Sequence, residues 1–136
     1  METTQLKKIQ LFILFGGLFG FLSVLAGAFA AHSLRSKISA GDLAIFQTAA
    51  QYQMYHAVLL VLLAALAAQS KEAQFLKWLS WSGKAAVLGI VLFSGSLYLL
   101  VLTDTRWLGA ITPLGGISFL AAWFCLAKGG KYLLLR

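Results

Sequence analysis

The chain has 136 residues, of which 60% are hydrophobic and only 11% are charged. A soluble domain carries about 25% charged residues, so this composition excludes a soluble globular fold and indicates a lipid environment. The net charge of +7 does not indicate a nucleic-acid partner, because the lysines and arginines stand singly or in pairs between apolar runs and form no basic stripe.

Four apolar segments reach or nearly reach the length that crosses a bilayer, which takes about 20 helical residues. They cover residues 9–31, 43–68, 85–102 and 107–127. The sequence therefore predicts an all-α integral membrane bundle of four transmembrane helices, forming a single domain over residues 1–136. Lys7 and Lys8 precede the first segment as they would in a cleaved signal peptide. That alternative is less favoured, because the apolar run exceeds the roughly 7–15 residues of such a peptide.

The basic residues are unevenly divided between the two sides of the predicted membrane. Three lie on one side, namely Arg35, Lys37 and Arg106. The others lie at the two ends of the chain or between spans two and three, namely Lys7, Lys8, Lys71, Lys77, Lys84, Lys128, Lys131 and Arg136. Because cytoplasmic loops carry the excess of positive charge, both the N- and the C-terminus are predicted to be cytoplasmic.

Span two is predicted to begin before its apolar run. Ser39 can cap the helix and Asp42 can return the bond, which gives a helix over residues 40–69. At 1.5 Å per residue such a helix measures about 45 Å, more than the hydrocarbon thickness. Its first turns therefore tilt or stand in the outer headgroup region.

The polar stretch QTAAQYQMYH at residues 47–56 has two faces. Gln47, Gln51 and Tyr55 lie along one helical stripe and are predicted to be wetted at the interface. On the roughly opposite stripe, His56 lies about 10 Å inside the hydrocarbon boundary. Lipid offers its nitrogens no partner, so this stripe is predicted to face the bundle.

Segment 71–84, KEAQFLKWLSWSGK, mixes apolar, aromatic and charged residues before span three. The pattern predicts a short amphipathic helix lying on the inner membrane surface. The alternative is that the segment prolongs a neighbouring span. In span four, Thr112 and Pro113 are typical of a helix cap followed by a first-turn proline. Span four is therefore predicted to be either kinked at Pro113 or broken there.

Separate segments bring polar residues to the outer half of the bundle. We predict that they form one polar pocket, centred on His56, Tyr52 and Ser94, which binds a ligand or bonds helix to helix. Its predicted members are His32, Tyr52, Gln53, His56, Ser94, Ser96, Tyr98, Thr112 and Ser118. The inner half of every span is predicted to be almost purely apolar.

Small residues recur at helical spacing in span one and more loosely in later spans. In lipid such stripes let helix backbones approach closely, which is a main source of helix association. The predicted helix-packing positions are Gly16, Gly20, Ser23, Gly27 and Gly116. The contacts they make could lie within one bundle or between subunits.

Four stretches together resemble one protein family. They are GAFAAH at 27–32, QTAAQYQMYH at 47–56, LFSGSLY at 92–98 and TPLGGISFLAAW at 112–123. In this order they resemble the signatures of domain-of-unknown-function family 423, and the resemblance covers nearly the whole chain. It implies a four-span, multi-pass protein of the bacterial inner (plasma) membrane, and it implies no activity.

The residues themselves favour a protein without enzymatic activity. Ser94 or Ser96 with His56 could form a catalytic pair, but no carboxylate lies within a span. His32 and His56 alone fall short of the three or four ligands of a metal site, so we expect no metal and no cofactor. We predict a structural or partner- or lipid-binding protein, in contact with the bilayer and with a homo-oligomer or membrane-protein partner as an open possibility. The alternative is a small-solute or ion transporter or channel acting as an oligomer.

Overall fold

The structure is a computed structural model that describes residues 2–133, and these form helices without any strand. Arg136, which entered the charge count, lies outside the described residues. The α-helices are α1 (Thr3–Phe29), α2 (Ala40–Gln69), α3 (Ala73–Gly89), α4 (Gly95–Thr103) and α5 (Thr112–Leu133). One π-helical turn, Ala30–Leu34, follows α1, another, Ile90–Ser94, joins α3 to α4, and a 3₁₀-helix, Arg106–Ala110, precedes α5.

Four helical stretches are long and apolar enough to cross a membrane: Thr3–Leu34, Ala40–Gln69, Ala73–Thr103 and Arg106–Leu133. The predicted all-α bundle of four spans is therefore confirmed. Helix α2 has the predicted bounds, and the backbone N–H of Asp42 donates to the Ser39 hydroxyl at 3.1 Å, as expected of the cap. The orientation of the bundle stays a prediction, and the words outer and inner below denote its two predicted sides.

Segment 71–84 does not form a helix of its own, and the prediction of a separate interfacial helix is wrong. Its residues from Ala73 onward are the first turns of α3, which runs without interruption through the π-turn into α4. No proline interrupts this stretch, and buried Phe75 and Leu79 pack into the main core. The segment prolongs span three because its apolar face has helices to pack against.

Span four is broken at its outer end. The 3₁₀-helix Arg106–Ala110 stops before the α-helix, which starts at Thr112 with Pro113 in its first turn. Pro113 lacks an N–H and fits a position where none is needed. Helix α5 extends to Leu133 over 22 residues, about 33 Å at 1.5 Å per residue. The whole of α5 therefore matches the hydrocarbon thickness of about 30 Å, with Lys128 and Lys131 in its last turns.

The helices pack as two pairs, α1 on α2 and α3 on α5, and α2 also packs against α3 and α4. The main core forms where α1, α2, α3 and α5 meet, around residues such as Leu60, Leu63 and Phe75. A smaller outer cluster surrounds Phe46 and Leu100. Most of α1 outside its contact with α2 is exposed, which is what lipid requires of an apolar helix at the edge of a bundle.

Only some of the predicted packing positions lie in tight contacts. A Cβ on Gly16 would lie 3.0 Å from the Ala57 carbonyl oxygen, so Gly16 is a close contact of α1 with α2. Ser23 is buried and donates a hydrogen bond to α2. A Cβ on Gly20 would make ordinary contact with Ala57, one on Gly27 would meet nothing within 4 Å, and one on Gly116 would lie 4.0 Å from the Phe93 ring. Gly27 and Gly116 are therefore not packing positions within the bundle.

An ion pair joins the start of the 3₁₀-helix to the first turn of α2. Arg106 donates to both Asp42 carboxylate oxygens, at 2.7 and 3.0 Å, and its Nε donates to Asp104 at 2.8 Å. The Asp42 side chain therefore binds Arg106 and does not complete the predicted capping box. Asp104 ends α4 with a left-handed backbone, φ 51°, a conformation that aspartate tolerates better than most residues. The pair fixes the start of span four to the start of span two.

Candidate functional site

The inward stripe of α2 lies where the sequence predicts it. Gln53 and His56 are buried, with 4% and 3% of their surface exposed. Gln51 and Tyr55 of the opposite stripe are exposed, and the Gln51 amide donates to the Tyr55 hydroxyl. The two-faced character of this polar stretch is therefore a consequence of helix geometry, with one face against protein and the other at the surface.

Gln53 connects three helices. Its amide nitrogen donates to the Phe19 carbonyl of α1 at 2.8 Å, and its amide oxygen accepts from the Tyr98 hydroxyl of α4 at 2.8 Å. The Tyr98 ring also packs on Phe46, with ring centroids 4.9 Å apart. A buried amide in lipid needs partners for both ends, and here two neighbouring helices supply them.

Both ring nitrogens and one ring face of His56 contact neighbouring residues. Its Nδ1 lies 2.7 Å from the Tyr52 carbonyl oxygen, and its Nε2 lies 3.1 Å from Nε1 of Trp123 on α5. Its ring stacks on Phe119, with centroids 3.6 Å apart and planes within 9°. Because a carbonyl can only accept and an indole N–H can only donate, the geometry requires a neutral imidazole with the proton on Nδ1.

This assignment predicts a measurable tautomer. In ¹⁵N NMR spectra of histidine-labelled protein, we expect the His56 Nδ1 to have the shift of a protonated nitrogen and Nε2 that of an unprotonated one. His32 is exposed and serves as the internal reference for a histidine without these bonds. In Trp123→Phe we expect the Nε2 shift to move, because its donor is lost. A proton found on Nε2 in the unsubstituted protein would contradict the geometry.

Four of the buried serines bond to backbone carbonyls across helix interfaces. Each donates at 2.6–2.7 Å to the carbonyl of an alanine on a neighbouring helix, where the small side chain permits close approach. A helical carbonyl has a second lone pair available for such a bond. The pairs are Ser23 to Ala50, Ser94 to Ala49, Ser82 to Ala122 and Ser118 to Ala85. The last two run in opposite directions between α3 and α5.

The predicted members of the polar pocket do not form one cluster. Ser94 bonds to Ala49, and His56 lies two turns further along α2, about 10 Å away along the helix axis. Ser96 bonds to Thr112 at 2.7 Å, and Ser118 bonds to Ala85. The structure therefore replaces the single pocket with several separate bonds between helices.

Two further predicted members are placed differently from the rest. His32 is exposed at the π-turn after α1, outside the bundle interior. Tyr52 is 39% exposed, and its ring packs on Phe93 with centroids 4.9 Å apart. Helical spacing places both at the outer end but cannot say whether another helix covers them. Tyr52 and His56 also border a shallow surface groove with Tyr55, Val58 and Trp123.

Sequence reasoning missed polar residues in the inner half. Ser82 is fully buried and bonds to Ala122, and the Gln5 amide donates to the Ala67 and Ser70 carbonyls. Both residues lie outside the predicted spans 9–31 and 85–102, so the almost purely apolar inner half of each span stays a prediction. The burial of Ser82 could have been inferred from helical spacing, because Ser82 lies on the same face as the apolar residues Leu79 and Ala86, which are buried.

The arrangement offers little chemistry of its own. The Ser94 hydroxyl donates to a carbonyl, and both His56 nitrogens are hydrogen-bonded to other residues. The two side chains are therefore not hydrogen-bonded to each other, as a catalytic pair would be. Within residues 2–133 no three His, Cys, Asp or Glu side chains lie together as metal ligands would. Cys125 is partly buried and has a free thiol.

A family model described as a protein of unknown function, DUF423, matches residues 26–116. The chain belongs to the DUF423 family. The matched region begins near the end of α1 and ends in the first turns of α5, and it includes the buried Gln53 and His56.

Curated relatives of this family member extend the match over most of the chain. The UPF0382 membrane protein YwdK of Bacillus subtilis is 42% identical over 92% of this chain and 100% of its own length. A UPF0382 membrane protein of Staphylococcus haemolyticus is 42% identical over 87% of this chain and 93% of its own. The UPF0382 inner membrane protein YgdD of Escherichia coli is 37% identical over 86% of each. No solved structure matches the chain.

These relatives confirm a multi-pass membrane protein of the bacterial inner membrane. They are named as membrane proteins without an activity, so the chain is a membrane protein of unknown function.

Proposed function

We propose that this protein is a non-catalytic membrane protein that acts by binding lipid or a membrane partner at its surface. On this proposal the buried polar groups hold the helices together and do not handle a substrate. The observation that carries it is the complete pairing of buried groups. Among the described residues, every fully buried side-chain nitrogen or oxygen has a hydrogen-bond partner within the protein.

The chemistry of the buried partners supports this proposal. A transported ion or solute needs a polar group that can release one partner and accept another. Ser94, Ser82 and Ser118 instead donate to backbone carbonyls, which a helix holds in place. Bonds of this kind contribute about 0.6–2 kcal/mol each to helix association.

The outer surface supports the binding part of the proposal. Helix α1 packs mainly on α2 and leaves large side chains such as Leu14, Phe21 and Val24 more than half exposed. In a bilayer such a face contacts acyl chains or another membrane protein. Catalysis receives no support from the site, because Ser94 of span three bonds to Ala49, which lies about two turns along α2 from His56.

A cysteine-accessibility experiment tests whether the bundle interior is dry. In a Cys125→Ala background, Ser94→Cys and Ser118→Cys are exposed in native membranes to a membrane-impermeant thiol reagent. We expect neither cysteine to react, because the serines at both positions have at most 9% of their surface exposed. Ser36→Cys, in the exposed outer loop, is the matched serine control and should react fully.

The same experiment discriminates the proposed binding function from the alternative, transport by a channel or transporter. A water-filled route through a transporter or channel would bring the reagent to Ser94→Cys at a rate comparable to Ser36→Cys, and the binding proposal would then be wrong. Reaction of Ser36→Cys in intact cells would also support the predicted outer location of its loop.

A further inference from the structure

Ser80 stands apart from the other buried polar residues. It is only 8% exposed, yet its hydroxyl makes no hydrogen bond within the described residues. Ser82, two residues later, donates to Ala122. Since every fully buried side-chain oxygen of the described residues has a hydrogen-bond partner, the unpaired Ser80 oxygen itself reaches the protein surface, where it can bond to a ligand. Ser80 lines two adjoining surface depressions between α1 and α3.

The first depression, the basic pocket, has a volume of about 360 Å³. Three lysines line it, Lys8 from α1 and Lys77 and Lys84 from α3. Trp81 lies beside them, and the Lys84 ammonium stands 5.0 Å from the centre of its ring. Glu2 is the one acidic residue among those lining the pocket, so the pocket is net positive.

The second depression, the apolar groove, continues from the basic pocket along the helices. It has a volume of about 390 Å³, and its walls are Leu11, Phe12 and Phe15 of α1 and Val87, Leu88 and Val91 of span three. Lys8 and Lys84 stand at its polar end and line both depressions. The apolar groove, which has the size of an acyl chain, therefore opens at its polar end into the basic pocket.

The predicted position of the two depressions in the membrane agrees with a polar end and an apolar end. Lys8 and Lys84 immediately precede the charge-free runs of spans one and three, which begin at Ile9 and Ala85. Both lysines therefore mark the same headgroup level of one leaflet. Tryptophan is enriched at that level, and Trp81 is 53% exposed there.

We propose that the cleft between α1 and α3 is a binding site for an anionic phospholipid, whose phosphate is held by Lys8, Lys84 and Ser80 and whose acyl chain lies in the apolar groove. Basic pockets between membrane helices favour anionic headgroups. The Ser80 hydroxyl supplies a hydrogen bond to a phosphate oxygen, and Lys77 adds charge at the pocket mouth. The inference rests on the proposed binding function and names its ligand class.

Lipid binding by the purified full-length protein tests the site. Native mass spectrometry in detergent compares phosphatidylglycerol with phosphatidylcholine of identical acyl chains. We expect the unsubstituted protein to bind phosphatidylglycerol more tightly. Lys8→Gln with Lys84→Gln should weaken that binding at least roughly 5-fold, given the strength of single lysine contacts with anionic lipid. Phosphatidylcholine binding should change little.

Three further variants separate the charge, the hydroxyl and the fold. Ser80→Ala should weaken phosphatidylglycerol binding roughly 2- to 5-fold and leave thermal stability unchanged, since no internal bond is lost. Ser82→Ala is the matched control, which should lower stability and leave lipid binding unchanged. Lys128→Gln with Lys131→Gln removes the same charge from α5, outside both depressions, and should retain the preference.

Three results would overturn the inference. One is equal affinity of the unsubstituted protein for the two lipids. Another is an equal loss of phosphatidylglycerol binding in the Lys128 and Lys131 control. The third is competition by glycerol phosphate at the affinity of the whole lipid, which would indicate a free-phosphate site without an acyl chain. These outcomes are independent of the thiol-accessibility result, so failure of the lipid site is distinguishable from failure of the proposed function.

Discussion

Gly115→Ala should destabilise the protein by about 3 kcal/mol, the upper range for forcing an atom into a packed interface. A Cβ at Gly115 would lie 2.7 Å from the Cα of Phe93 and would also collide with its backbone nitrogen. Phe93 lies in the π-turn of span three, where the backbones of the two helices touch. A backbone cannot rotate away as a side chain can, so α5 must separate from the π-turn of span three.

Gly116→Ala is the control for this substitution, because its Cβ would meet only the Phe93 ring, 4.0 Å away. It also gains helix propensity of about 1 kcal/mol, so we expect unchanged or slightly raised stability. The free energy of unfolding is measured for both variants by steric trapping in bicelles. Equal destabilisation by the two alanines would contradict the close approach at Gly115.

Gln53→Leu should lower the free energy of unfolding by about 2–3 kcal/mol. It removes the bond to Phe19 of α1 and leaves the Tyr98 hydroxyl unpaired. Each such bond contributes about 0.6–2 kcal/mol in a membrane protein, and an orphaned buried group costs about 1–3 kcal/mol. Leucine approximately keeps the volume, so the loss reflects the hydrogen bonds.

Gln51→Leu is the matched control, since Gln51 is exposed and bonds only to Tyr55 of its own helix. We expect a change within about 0.5 kcal/mol, as for most surface substitutions. Tyr98→Phe, which removes one of the two bonds of Gln53, should fall between the two. If Gln53→Leu were as stable as Gln51→Leu, Gln53 would not join the three helices in the folded protein.

The relation between helix faces was predictable, but the bonding partners were not. The sequence places Gln53 and His56 on one stripe, and both are buried. The acceptors of the buried serines, however, are backbone carbonyls of alanines such as Ala49 and Ala122. Every residue has such a carbonyl, so the partner's sequence has no polar signal to read. This is also why polar residues at one depth suggested a shared pocket that the structure divides into separate bonds.

The different contacts of Gly115 and Gly116 were likewise not predictable from the sequence. Both are small residues in the first turns of α5, and the sequence pattern selects Gly116. Which of two adjacent glycines faces α3 depends on the rotation of α5, which is set by the surrounding packing. The two π-turns and the continuation of segment 71–84 into span three follow from tertiary contacts in the same way.

The sequence by itself determined the lipid environment, the four spans, the bounds of α2 and the inward direction of its polar stripe. These follow from composition and helical periodicity, because lipid penalises every unpaired polar group along a span. Only the tertiary structure decided which helices meet, which glycine permits backbone contact and which serine hydroxyl makes no hydrogen bond within the bundle. Those properties depend on the distance and rotation between helices that are separated along the chain.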